Sequence, residues 1–431
     1  MVKRPGRLER FFQRLSKIEP EELLPSALSF LMVLILMCSY YILRPYRDAL
    51  ASDWSDAELS FIWTLNFFLS VAVVSLYGWV VTWVRFNWLV PSVYASFVLI
   101  FALFYIAMTE VPAPHITLDK GFYLWMSIFS LFNISLFWSF MSDLFTERQA
   151  RRLFPVIGAG ASAGALLGPA VPTLLVEWLG TDNLILSAAV LLAAAIPLTF
   201  ILRGLKATAL SDRDQAADRA RIGGNPFAGF RDFFTNPYLL CIGLFIILYT
   251  AIGSIVYFEQ KNLLASYELI DRTKILGAVD WIVNILSFTV AFFVTGRLVL
   301  YFGMPAALSM IPFAMCAGLS ALTIFPMLMV VLVLQIARRA GNYAITRPAR
   351  EMLFTLVSRE DRFKAKPVID IVAYRGGDMV TSWGFAALTH GLGFGLGAMA
   401  AVGAGIAAIW GSIALYLGRW FERTSSKDIE I

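Results

Sequence analysis

Stretches of about twenty mostly apolar residues recur twelve times along the chain, near 26–47, 58–84, 88–109, 120–143, 153–178, 183–203, 237–260, 275–297, 304–325, 326–347, 368–390 and 396–418. A helix rising 1.5 Å per residue needs about 20 such residues to cross a hydrocarbon layer. The pattern predicts an all-α polytopic membrane protein with about twelve transmembrane helices. Gly and Pro inside several runs do not count against helix in a bilayer. One long polar stretch, Gly204 to Asn236, divides the spans six and six. The expected organisation is a basic segment 1–25, a first half 26–203, a linker 204–236, a second half 237–418 and a tail 419–431.

Composition narrows the class. Of 431 residues, 59% are hydrophobic and only 15% charged, against about 25% charged in an average soluble domain. The mean hydropathy is +0.72, so there is too little polar surface to keep the chain in water. The three cysteines lie singly in apolar runs and the two histidines, His115 and His390, lie far apart. No metal site, disulfide framework or cofactor is expected. The net charge of +5 follows from topology rather than from nucleic-acid binding. With an inside N-terminus, 26 of the 35 Lys and Arg fall on inside loops and four, Lys120, Lys261, Arg272 and Lys274, on outside ones. This asymmetry expects both termini in the cytoplasm, in a bacterial inner membrane. Residues 1–25 do not read as a cleavable signal. Leu8, Phe11, Phe12, Leu15 and Ile18 at helical spacing among Arg and Lys fit either an amphipathic surface helix or a plain basic tail.

The halves echo each other at an offset of roughly 212 residues. Thr146 to Arg152 lies between spans 4 and 5, and Ser358 to Lys364 between spans 10 and 11; each pairs a Ser or Thr with an acid or amide three residues on, the mark of a capping box, amid basic residues. Two six-helix halves around a central path is the plan of the major facilitator fold.

Ionisable residues inside spans are costly and point to function. Arg44, Arg47 and Asp48 close span 1; Asp280 lies in span 8; Arg338 and Arg339 lie in span 10; Arg375 and Asp378 stand three apart in span 11. Paired with one another, Asp280 with Arg338 or Arg339 among them, they would only fix helix register. But five Arg against three Asp leave a surplus of two positive charges, and the guanidinium fork suits phosphate or carboxylate. Glu259 and Lys261 at the end of span 7 are candidate gate residues, and Asp143 beside Arg148, Arg151 and Arg152 a candidate cytoplasmic latch. Gly158, Gly160, Gly164 and Gly168 space span 5 for close packing, as does the run from Gly391 to Gly405. No Walker-A sequence and no catalytic triad is present, so an enzyme is not expected.

Several of these segments together resemble the ATP/ADP carrier family of plastids and intracellular bacteria. Its Leu-Arg-x-x-Lys-Asp segment stands here as Leu43-Arg44-Pro45-Tyr46-Arg47-Asp48, with Arg for Lys, and its Phe-Trp-x-Phe-x-x-Asp as Phe137-Trp138-Ser139-Phe140-Met141-Ser142-Asp143. Its Pro-x-Lys-Glu-Met stands as Pro348-Ala349-Arg350-Glu351-Met352, followed by Arg362-Phe363-Lys364-Ala365-Lys366, Ile369-Asp370 and Arg375-Gly376. The resemblance implies a nucleotide or another phosphorylated anion as cargo. It implies roles near the transport path for Arg47, Glu259, Lys261 and Arg350. The expected function is alternating-access transport of a small organic anion by exchange. A proton-coupled carrier or exporter of another solute, such as a siderophore or amphiphile, is the alternative; a membrane enzyme or receptor is the third.

Overall fold

The computed structural model describes residues 19–83, 86–111, 115–209, 234–293, 295–357 and 373–427. The basic segment ahead of residue 19, most of the linker and the Ser358–Lys366 and Ile369–Asp370 motifs lie outside them. The described residues form helices: α1 Leu23–Leu50, α2 Asp56–Trp83, α3 Phe86–Glu110, α4 Ile116–Leu144, α5 Glu147–Leu167, α6 Ala170–Leu179, α7 Asn183–Ala209, α8 Pro237–Leu264, α9 Leu269–Phe293, α10 Thr295–Ile324, α11 Leu328–Gly341, α12 Arg347–Leu353, α13 Tyr374–Ala386 and α14 Leu396–Lys427. Among the described residues, eleven helical segments are long and apolar enough to cross a bilayer. The protein is a multi-pass membrane protein. The expected span near 368–390 is described only from residue 373, as α13, YRGGDMVTSWGFA, running on into the turn Ala387–Gly391.

Local chemistry sets the helix ends. Thr146 opens α5 with a capping box: its Oγ1 accepts from Gln149 N at 3.4 Å while Gln149 Oε1 accepts from Thr146 N at 3.0 Å. Asn236 caps α8, ahead of Pro237 at the first helical position. The fifth expected span is two helices, since Gly168 and Pro169 end α5 and start α6. Inside α10, Gly303 has φ of 77° and the helix kinks there; a Cβ at this position would also crowd the Glu422 carboxylate. After α11 the chain widens into a π turn, Asn342–Thr346, before α12; a second π turn, Ala387–Gly391, follows α13.

The chain forms two compact units. One holds Met1–Asp48, Ser70–Arg221 and Leu269–Trp281; the other holds Ala49–Leu69, Ile222–Glu268 and Ile282–Ile431. Each unit therefore takes in a short stretch from the other half of the sequence. In the first, Lys274 of α9 pairs with Glu177 of α6 and Gly277 packs on Thr173. In the second, Trp63 of α2 packs on Tyr257 and Phe258 of α8, at 5.5 and 5.4 Å between ring centroids.

The first unit's core is aromatic, with Phe97, Phe129, Phe101 and Phe122 linked in that order by ring contacts. Helices α1 and α5 approach closely in it. Methyl groups on Gly160 or Gly164 would strike the Phe30 or Leu34 carbonyls, and one on Gly168 would meet Tyr41 and the Cys38 carbonyl. Gly158 is different, with 3.8 Å to the Trp138 ring. Gly164→Val should therefore lower stability by about 1–3 kcal/mol or more, while Gly158→Ala should be near neutral. Thermal unfolding in detergent distinguishes the two, and equal behaviour would contradict this packing. The second unit packs α8, α10, α11 and α14 around Trp410, Phe245 and Leu319. The glycines expected to pack along 391–405 do so only at Gly397, against the Thr323 carbonyl, and Gly403, against Leu319 and Ile255; Gly391, Gly393, Gly395 and Gly405 meet open space. The reason is local: Gly393 has φ of 68° and serves the turn into α14.

Candidate functional site

The first unit collects four of the expected charges at the end of α1 and on α9. Arg47 Nε and Nη2 donate to Asp48 Oδ1 at 2.9 and 2.6 Å, and its guanidinium lies 5.0 Å from the centre of the Tyr123 ring. Arg44 Nε lies 3.9 Å from Asp48 Oδ2 and 3.8 Å from Asp280 Oδ2. Asp280 thus has Arg44, from the other half of the sequence, beside it. Tyr46, the residue before Arg47 on α1, is buried and donates to Asp182 Oδ1 at 3.3 Å.

The second unit gathers the rest around α11 and α13. Arg338 is buried, and its Nε and Nη2 donate to Gln335 Oε1 at 3.2 and 2.8 Å. Its Nη1 donates to Tyr249 Oη at 3.2 Å, and the guanidinium sits 5.5 Å from that ring's centre. Gly253 makes this possible, since a Cβ there would lie 2.9 Å from Arg338 Nη1. Tyr249 leans on Tyr374 and Trp410. Arg375 and Arg338 both lie within electrostatic reach of Asp378. Ser254 and Thr381 join α8 to α13 at 2.8 Å. Arg339, buried, adds a further guanidinium on α11.

The charge surplus is unevenly placed. In the first unit Arg44 and Arg47 face Asp48 and Asp280, and the cluster is formally neutral. Of the Arg and Asp counted in the spans, the second holds Arg338, Arg339 and Arg375 with Asp378, a surplus of two among that set, and the buried Glu259 lies in the same unit. A buried guanidinium whose present partners are a neutral amide and a phenol can take an anion without first giving up a carboxylate.

The remaining candidates are dispersed. Lys261 is buried and donates to Asp56 Oδ1 at 2.8 Å and to the Trp54 carbonyl at 2.6 Å; Thr389 Oγ1 donates to Asp56 Oδ2 at 3.1 Å. Glu259, two residues away on α8, is fully buried, and neither carboxylate oxygen has a hydrogen-bond partner among the described residues. Arg350 lies on α12 beside Glu351 at 3.2 Å. Asp143 is exposed at the end of α4. Of the basic run, Arg152 Nη2 donates to the buried Glu22 Oε1 at 2.8 Å and lies 3.6 Å from Glu19 Oε1, and Gln149 Nε2 donates to Glu22 Oε1 at 3.1 Å.

Asp56, Tyr249 and Gln335 are absent from the residues picked out by sequence. An acid opening a helix is ordinarily explained by the helix dipole. Here Ser55 and Glu58 already form the capping pair, Glu58 N to Ser55 Oγ at 3.2 Å and Ser55 N to Glu58 Oε2 at 2.9 Å, which leaves Asp56 available for Lys261. Gln335 stands one turn before Arg338, and that i, i+3 spacing was a readable signal.

No family model matches the chain. Among solved structures it is similar to a bacterial homologue of the human lysosomal transporter Spinster, in an inward-facing and unoccupied conformation: TM-score 0.58, 14% identity, covering 94% of this chain and 98% of that one. A variant of the nucleoside transporter NupG gives a TM-score of 0.55 at 15% identity, covering 93% and 99%. The chain has the major facilitator fold. In sequence it is 22% identical over 359 residues to ADP,ATP carrier protein 1 of Chlamydia pneumoniae, covering 72% of this chain and 69% of that relative. The intramembrane charges thus sit in a fold that both of these solved transporters share.

Proposed function

We propose that the protein is an alternating-access membrane transporter of a small organic anion, with a nucleotide or related phosphorylated metabolite as cargo, and that both its termini face the cytoplasm. The observation that carries the reading is Arg338: a buried guanidinium held by Gln335 and Tyr249, in the unit that holds the surplus positive charge. The likeness to an ADP,ATP carrier supports a nucleotide-type cargo. The reading is one of transport rather than catalysis. In this orientation Lys261 and Asp56 lie at the outer face, and the stretch 49–69 must part from α8 for that face to open. The Lys261–Asp56 pair is then a gate lock, made in one conformation and broken in the other.

The test is ligand-induced stabilisation of the purified protein in detergent. At 100 times its dissociation constant a ligand adds about 2.7 kcal/mol. ATP or ADP should raise the unfolding temperature and adenosine should not; no response to any phosphorylated compound would sink the anion reading. Glu259 favours a second reading. A fully buried carboxylate without a hydrogen-bond partner among the described residues is a natural proton carrier. Liposomes distinguish the two: uptake that needs internal nucleotide is exchange, whereas uptake driven by an imposed proton gradient alone is proton coupling.

A further inference from the structure

The geometry points to a binding site for an anionic phospholipid headgroup at the end of α14, separate from the transport path. A cavity of 580 Å³ opens beside this helix, lined among the described residues by Ser412, Tyr416, Arg419, Trp420, Arg423 and Thr424 with one leucine. At 3.6 residues per turn, positions 412, 416, 419 and 423 fall on about one sixth of the helix circumference. Arg419 and Arg423 are exposed, and neither has an ion-pair or hydrogen-bond partner among the described residues. The neighbouring Glu422 is turned to the Gly303 kink, where its Oε1 accepts from Met304 N at 3.0 Å.

The position along the helix selects the occupant. The apolar length of α14 ends at Thr424, so both arginines lie in the last turns of a bilayer-crossing segment, at headgroup depth. Trp420 is fixed there by edge contacts with Tyr238 and Tyr416, at 5.3 and 5.7 Å between centroids. An aromatic pair of this kind belongs at the membrane interface. Two guanidiniums one turn apart offer a phosphodiester both charge and hydrogen bonds. The Tyr416 ring and the leucine beside it offer the upper acyl chain an apolar wall. A zwitterionic lipid satisfies the wall but brings no net charge, so the site should select lipids by headgroup.

The full-length protein, in detergent, is offered equal amounts of phosphatidylglycerol and phosphatidylcholine, and retained lipid is counted by native mass spectrometry. At about the strength expected of two basic residues near an anionic surface, phosphatidylglycerol should be retained with about thirtyfold preference. The preference should fall to parity in Arg419→Gln/Arg423→Gln and survive in Arg419→Lys/Arg423→Lys. It should also collapse for the unmodified protein at 1 M salt, where the screening length falls to about 3 Å; that arm needs no variant to fold. Parity in the unmodified protein, or an unchanged preference in the Gln pair, overturns the proposal. Stabilisation by inorganic phosphate that vanishes in the Gln pair, without any lipid preference, would assign the site to a soluble anion instead. A stability loss in the Gln pair that is the same with and without lipid would mean that the arginines hold carboxylates of the chain itself, and would equally overturn it.

Discussion

Lys261→Met is expected to lower the stability of the protein by about 3–5 kcal/mol, the usual cost of removing one partner from a buried ion pair. The reason is what remains. Asp56 is buried, and without Lys261 its charge keeps the Thr389 hydroxyl, at 3.1 Å, and the exposed His390 ring, whose Nε2 lies 3.9 Å from Oδ2. The Trp54 carbonyl, which accepts from Lys261 at 2.6 Å, loses that donor too. Asp56→Asn combined with Lys261→Met removes both charges and should recover more than half of the loss. Denaturation of the single and double variants in detergent, set in a double-mutant cycle, reads the coupling directly. If the gate reading is right, the single variant should also expose residues near 54–63 to water-soluble labels more than the double variant does. Additive losses in the cycle would show that the pair contributes nothing as a pair.

Arg338→Gln is expected to abolish transport while leaving the unliganded protein folded. Glutamine keeps an amide near Tyr249 and Gln335, so the local polar groups retain partners, but it supplies neither the charge nor the two-pronged donor an anion needs. Loss of a buried charge contact to a ligand is worth about 2–5 kcal/mol, which lowers anion affinity at least about thirtyfold. Ligand-induced stabilisation should vanish, and uptake into liposomes with it, at an unchanged unfolding temperature without ligand. Arg44→Gln should behave in the opposite way. Its cluster is already charge-balanced by Asp48 and Asp280, so removing the cation should destabilise the unliganded protein. A normal ligand response in Arg338→Gln would remove this arginine from the binding site.

The helices were legible in the sequence because a bilayer leaves the backbone little choice: each run of about twenty apolar residues must satisfy its own hydrogen bonds. The breaks were less so. Gly168-Pro169 divides α5 from α6, yet the same dipeptide is tolerated in unbroken membrane helices, so composition alone does not decide it. Arg44, Arg47, Asp280 and Arg338 stood out because charge inside an apolar run is rare. Their partners did not, because Arg44 meets Asp280 across 236 positions of sequence, and Tyr249 looks like any other aromatic in an apolar run until its hydroxyl is seen against Arg338. The positive surplus was countable in one dimension; its concentration in one unit was not.

The π turn Asn342–Thr346 has a consequence for comparing this chain with its relatives. Such a turn is an α-helix carrying one residue too many, and each residue added to or taken from a helix rotates the rest of that helix by about 100°. The wide turn takes up that extra residue locally, so deleting one residue between 342 and 346 would return the turn to α-helix and leave Arg350 close to its present face, one position nearer Arg338 in sequence. A one-position gap placed here in an alignment therefore keeps the helix faces in step, and correspondence drawn by ungapped counting from Arg338 will match Arg350 to a residue that points elsewhere.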